Sequence, residues 1–157
     1  MSGIFKQIVI ESSVEKEYKF FTDSLNDWCP REYTWFLEQL EKISLGKNTG
    51  DLCTEMGPRG FRIDWGTVTQ VQENEVFGMK WQIGMKRDPI PDLSKASDIV
   101  VKFKEDGNRT IIRFEHLNFE NHGEGSEEYQ EMMDCEHDWD YILGKFRSFC
   151  QLKRQTG

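Results

Sequence analysis

Large apolar residues alternate with charged or small ones across residues 60–68 and 79–83, in the middle of the chain. This period of two predicts consecutive strands with one dry face and one wet face. The alternation is present from the start, where Ile4, Ile8 and Ile10 head a first strand over residues 4–11. It returns after residue 98, where Ile99, Val101 and Phe103 alternate with Lys102 and Lys104. Ile112, Phe114 and His116 then alternate with Arg113 and Glu115, so parity points His116 inward. Turn-forming clusters at 46–51, 56–60, 72–75 and 105–108 separate these runs at the spacing of an antiparallel meander. A polar loop at 86–92, with two prolines, is long enough to lie as a flap at one rim of the sheet.

Helical signals flank the meander. Ser12-Ser13-Val14-Glu15 reads as a Ser-x-x-Glu capping box opening a helix with Val14, Tyr18 and Phe21 inward, and Pro30 ends that region. Tyr33, Phe36, Leu37, Leu40 and Ile43 fit a helical period over 33–43. Ser126 is placed to cap a last helix running to about Leu152. Tyr129, Met132, Met133, Trp139, Ile142, Leu143, Phe146, Phe149 and Cys150 recur along it at threes and fours. The pattern as a whole predicts an α+β fold: a curved antiparallel sheet wrapped around a long C-terminal helix, with an aromatic cavity between them.

At 157 residues the chain is the size of one domain, read as 1–157, and a chain of that length buries roughly 70% of its unfolded surface. Its 28 Asp+Glu against 20 Lys+Arg give a formal charge of −8, which opposes binding to nucleic acid or anionic membranes. No run reaches the length of a membrane span, and residues 1–6 lack the apolar core of a signal peptide, so a cytoplasmic location is expected. Cys29, Cys53, Cys135 and Cys150 are scattered without a CxxC pair and read as reduced, packed thiols.

Trp65, Met79, Trp81, Ile83, Phe114, Met132 and Trp139 are the residues expected to line the space between sheet and helix, where indole and thioether groups suit a flat or lipidic molecule. For most of them, plain core packing is the competing account. An inward His116 could donate to a ligand carbonyl or act as an acid or base. The alternative is a hydrogen bond to a backbone carbonyl or carboxylate at the strand end; acid–base work needs a positioned partner, for which Glu55 and Asp64 are the candidates, Asp64 on the wet parity of its strand. Cys135-Glu136-His137-Asp138 invites a metal reading, but consecutive helical residues point about 100° apart and do not converge on one ion. His122 reads as a loop hydrogen-bonding residue. With no nucleophile elbow, phosphate-binding glycine loop, HExxH or dinucleotide fingerprint, no catalytic residue, cofactor or metal is assigned.

The ordered motifs Trp28-Cys29-Pro30 with Tyr33-Thr34-Trp35, residues 61–68, Trp81-Gln82-Ile83, residues 115–119, His122-Gly123-Glu124-Gly125, and Trp139 with Leu143 resemble the helix-grip fold of the START-like (SRPBCC) superfamily. Within it they resemble the branch related to the C-terminal domain of the activator of the heat-shock-protein-90 ATPase. Gly50-Asp51 stands where such proteins often have Gly-Gly, and Asp138-Trp139 where they often have Gly-Trp. The resemblance argues for a strand, not a helix, within 33–43. That superfamily includes lipid carriers, hormone receptors, aromatic cyclases and chaperone partners, and the expected pocket residues point within it to a binding protein for a small hydrophobic or aromatic molecule, with Trp65, Trp81, His116 and Trp139 at the site. A chaperone-regulator-like module contacting a protein partner with its cavity packed shut is the alternative, and a cyclase or dehydratase using His116 the third reading. Monomer and homodimer are both compatible with the pattern.

Overall fold

The computed structural model describes residues 3–135 and 138–156. They form β1 (Gly3–Ile10), α1 (Val14–Asp23), α2 (Leu25–Trp28), β2 (Lys42–Ser44), β3 (Leu52–Met56), β4 (Arg62–Gln72), β5 (Val76–Trp81), β6 (Ser97–Asp106), β7 (Arg109–Leu117), α3 (Ser126–Met133) and α4 (Trp139–Thr156). The strands make one seven-stranded antiparallel sheet in the order β1-β7-β6-β5-β4-β3-β2, so the meander closes back on the first strand. This is the helix-grip architecture: the sheet curls into a half-barrel around the C-terminal helical segment.

Two irregularities in β4 help to bend the sheet. Thr54 pairs with Asp64 but Cys53 with Gly66, which leaves Trp65 as the extra residue; Val68 pairs with Met79 but Gln70 with Gly78, which leaves Thr69. Such bulges bend a strand and re-aim a side chain. Trp65 and Val68 are accordingly both buried although they lie three residues apart.

The last helix supplies the plug. Trp139, Leu143, Phe146 and Cys150 fall on one stripe of α4 and are all buried. Phe146 meets Phe21 of α1 and Trp28 of α2 with ring centroids 5.3 and 5.0 Å apart. A single helix from Ser126 to Leu152 does not form. Met133 and Trp139 are both buried, yet six residues at about 100° each put them about 120° apart around one helix, so α3 and α4 are separate helices and both residues reach the core.

Ser126 is the first residue of α3 and not its cap; that position is Gly125 at φ 86°. In α1 the cap is Ser13, which accepts from the Lys16 N–H at 3.4 Å, and no Ser12–Glu15 box forms. Segment 33–43 is neither one helix nor one long strand. Two 3-10 turns, Arg31–Tyr33 and Leu37–Gln39, precede the short β2, because the Trp35 and Phe36 N–H groups donate to the Glu55 carboxylate and Leu37 adopts φ 53°.

Candidate functional site

A cavity of about 100 Å³ lies between the sheet and α4. Phe21, Leu25 and Trp28 close one side, while Trp65, Phe77, Met79, Trp81, Ile99 and Phe114 rise from the sheet; Ile83 follows β5, and Trp139 and Ile142 come from α4. The aromatic wall is continuous. Trp81 stands 5.8 Å from Trp65 and 5.2 Å from Trp139, and Phe114 4.5 Å from Trp139, between ring centroids. The wall therefore gathers Trp65, Met79, Trp81, Ile83, Phe114 and Trp139, and omits two residues that pattern placed there. Met132 is 47% exposed on the outer side of α3, and His116 lies behind Trp139.

His116 is fully buried, and both its ring nitrogens are engaged. The Trp139 indole N–H donates to Nδ1 at 3.1 Å, and Nε2 lies 2.7 Å from the Ser97 hydroxyl, which in turn lies 2.7 Å from Nε2 of His122. An indole N–H only donates, so Nδ1 of neutral His116 is an acceptor and its proton sits on Nε2. Ser97 accepts that proton's bond and donates onward to His122, whose own proton is left on Nδ1, an atom without a partner. Burial and then the neighbouring His122 hold the His116 pKa well below its ordinary value, and burial lowers His122. Among the described residues no carboxylate or tyrosine stands in hydrogen-bond contact with His116. Glu55 bonds the 35–36 backbone, and Asp64 pairs with Arg62 at 3.0 Å on the wet face. The arrangement orients Trp139 and engages both nitrogens of His116.

The polar members of the wall are Cys29, Tyr33, Thr34 and Glu55. Glu55 is 3% exposed and accepts from the Trp35 N–H at 3.0 Å. Burial raises its pKa against the opposing pull of those N–H bonds and of Arg87, and burial pushes the Cys29 thiol up to about 12. Sequence reasoning named Glu55 only as a partner for His116. The usable signal was its parity with the buried Cys53 on β3, which aims a carboxyl into the interior.

A second space of about 210 Å³ opens outside this wall, lined by Trp35, Met85, Arg87, Tyr129, Met132, Met133 and Asp138, and by Tyr33, Trp81, Ile83 and Ile142, which it shares with the cavity. Trp81 is held in the partition by its N–H donating to the Tyr129 hydroxyl at 2.8 Å, which donates to the Ile83 carbonyl at 2.6 Å. Across the opening, the Trp35 indole donates to the Arg87 carbonyl at 2.8 Å and the Arg87 guanidinium to the Tyr33 carbonyl at 2.8 Å.

Among the described residues no three or more His, Cys, Asp or Glu side chains are grouped to hold a metal ion. Glu136 and His137 lie outside the described residues, while Cys135 and Asp138 contact each other. No described helix is long and apolar enough to cross a membrane.

The family model for activator of Hsp90 ATPase homolog 1-like proteins matches residues 11–151. No curated protein matches the sequence. Among solved structures, an anthrahydroquino-gamma-pyrone synthase, Txn09, is 23% identical with a TM-score of 0.65, covering 94% of this chain and 96% of that one. The self-sacrificing resistance protein CalC from Micromonospora echinospora is 16% identical with a TM-score of 0.65, covering 96% and 95%. The Aha1 dimer from Colwellia psychrerythraea is 20% identical with a TM-score of 0.58, covering 94% of each chain. At these identities the likeness shows the fold.

Proposed function

The chain belongs to the family of activator of Hsp90 ATPase homolog 1-like proteins, and from that premise we propose that it is a cytoplasmic binding protein, monomer or homodimer, for a small hydrophobic or aromatic molecule. The ligand lies in the cavity against Trp65, Met79, Trp81, Ile83, Phe114 and Trp139. The observation that carries this reading is the aromatic wall around an apolar space between sheet and helix. At about 100 Å³ the space is of the order of the roughly 150 Å³ apolar cavity that stays dry and takes up benzene or xenon. Similar folds in an anthrahydroquino-gamma-pyrone synthase and a resistance protein are compatible with a small-molecule role. The test is native mass spectrometry of the purified protein, followed by denaturing extraction. A stoichiometric apolar adduct, lost in Trp81→Ala, supports the reading.

The same volume favours a second reading, because drug-sized ligands usually occupy roughly 300 Å³ or more. On that reading the core is packed shut and an outer surface contacts a protein partner. A clean apo mass together with no uptake of xenon or benzene would favour this module over the binding protein.

A further inference from the structure

We propose that the cavity and the outer groove are two halves of one site, and that its ligand is elongated: one ring-sized part fills the cavity and the remainder passes Trp81 into the methionine-lined groove. This rests on the reading of the cavity as a ligand site and extends it. Tyr33, Trp81, Ile83 and Ile142 belong to both walls, so a single layer of side chains separates the two spaces. Alone, the inner one is about 100 Å³ and holds little more than a ring; with the outer 210 Å³ the pair reaches the lower end of the range for drug-sized ligands, about 300 Å³.

The partition is slight. Among the described residues the Tyr129 hydroxyl is the side-chain hydrogen-bond partner of Trp81, and its other holds are ring contacts with Trp65, His116 and Trp139, so turning this one indole is what would join the spaces. Beyond it, Met85, Met132 and Met133 offer unbranched, polarizable side chains that adapt to a range of shapes. Exposure of the apolar Met132 side chain at 47% in this groove has its explanation here, since a ligand would cover it. The far rim is fixed by the two bonds that tie Trp35 and Tyr33 to Arg87, which keep the groove open as a built surface and not a loose loop.

The experiment compares phenol with 4-benzylphenol, whose methylene lets a second ring turn past Trp81, by NMR titration of the full chain and of Met132→Glu. Met132 is exposed, so this variant folds and places a charge in the groove only. The full chain should bind 4-benzylphenol at least tenfold tighter than phenol, and Met132→Glu should lose about tenfold for 4-benzylphenol while leaving phenol unchanged. Phenol binding with no gain from the second ring, or a gain that Met132→Glu leaves intact, overturns the two-part site while the cavity reading stands. Binding of neither compound removes the cavity reading and this proposal together.

Discussion

Replacing Glu17 with glutamine should flatten part of the pH dependence of folding. Glu17 lies in the first turn of α1 with 0% exposure, close to the Cys150 thiol and the Ser12 hydroxyl. Burial raises its pKa above the ordinary value near 4.5, and the neighbouring Cys150 thiol, Ser12 hydroxyl and Lys16 charge oppose that shift without cancelling it. Between the ordinary and the raised value, the folded protein keeps a proton that the unfolded chain has released. The stability tied to this proton is therefore fully present below about pH 4.5 and is lost as pH rises toward the folded value, with a slope of up to about 1.4 kcal/mol per pH unit. Glutamine has nearly the same shape and no titration, so any packing penalty it brings is a constant offset. Urea unfolding of both proteins from pH 4 to pH 8.5 gives the difference in stability directly, and the histidines, common to both, cancel from it. The difference should move in favour of Glu17→Gln as pH rises. A difference that stays constant over the whole range would refute the account of a buried, protonated carboxyl.

Ser97→Ala leaves the His116 Nε2–H and the His122 Nε2 without partners in the interior and should destabilise the fold by about 2–4 kcal/mol at pH 7 in urea titration; a loss under about 0.5 kcal/mol would exclude the relay. The ring nitrogens of His116, followed by long-range ¹H–¹⁵N spectra, should show the Nε2–H tautomer persisting as pH falls through the ordinary histidine value of 6.5. With the folded pKa depressed, the stability tied to this histidine is present above the ordinary value of 6.5 and lost as pH falls, opposite in sense to Glu17. Gly66→Ala would bring a Cβ to 2.2 Å from the Met79 methyl and 2.8 Å from the Lys80 carbonyl oxygen, and thermal unfolding should register a loss of about 1–3 kcal/mol.

Period-two alternation located the long strands and the inward parity of Ile99, Phe114 and His116, because a one-residue slip would turn every apolar side chain to water. The same rule carried Trp65, Met79, Trp81 and Phe114 to the cavity wall. It failed where tertiary bonds override a local period. In 33–43 the backbone donors that would close a helix go to Glu55, twenty residues downstream of Trp35. In the last segment the threes-and-fours pattern spans a turn, so Met132 keeps its spacing from Trp139 yet faces outward. Nor could parity tell that His116 lies behind Trp139 and not in front of it, since both positions are equally buried.

Four indoles on the cavity wall divide by what their N–H groups meet, and that division predicts the order of their truncation costs. The N–H of Trp28 donates to the Phe20 carbonyl, that of Trp81 to the Tyr129 hydroxyl and that of Trp139 to His116, so these rings turn their polar atom away and offer the cavity apolar surface. The Trp65 N–H is buried without a partner. Trp→Phe removes the same atoms at each site, so the packing losses are of one size, but the polar contributions differ in sign. At Trp139 the change strands His116 Nδ1 in the core, and at Trp81 it leaves the Tyr129 oxygen one donor short, each a penalty of about 1–3 kcal/mol. At Trp65 it deletes an orphaned donor and recovers an amount of similar size. Trp65→Phe should therefore cost at least about 2 kcal/mol less than Trp139→Phe in urea unfolding, with Trp81→Phe between them because Tyr129 is less buried by its surroundings than a core imidazole and keeps its bond to Ile83. Equal costs at Trp65 and Trp139 would mean that the hydrogen bonds behind the wall do not set the indoles, and that the apolar character of the cavity has another origin.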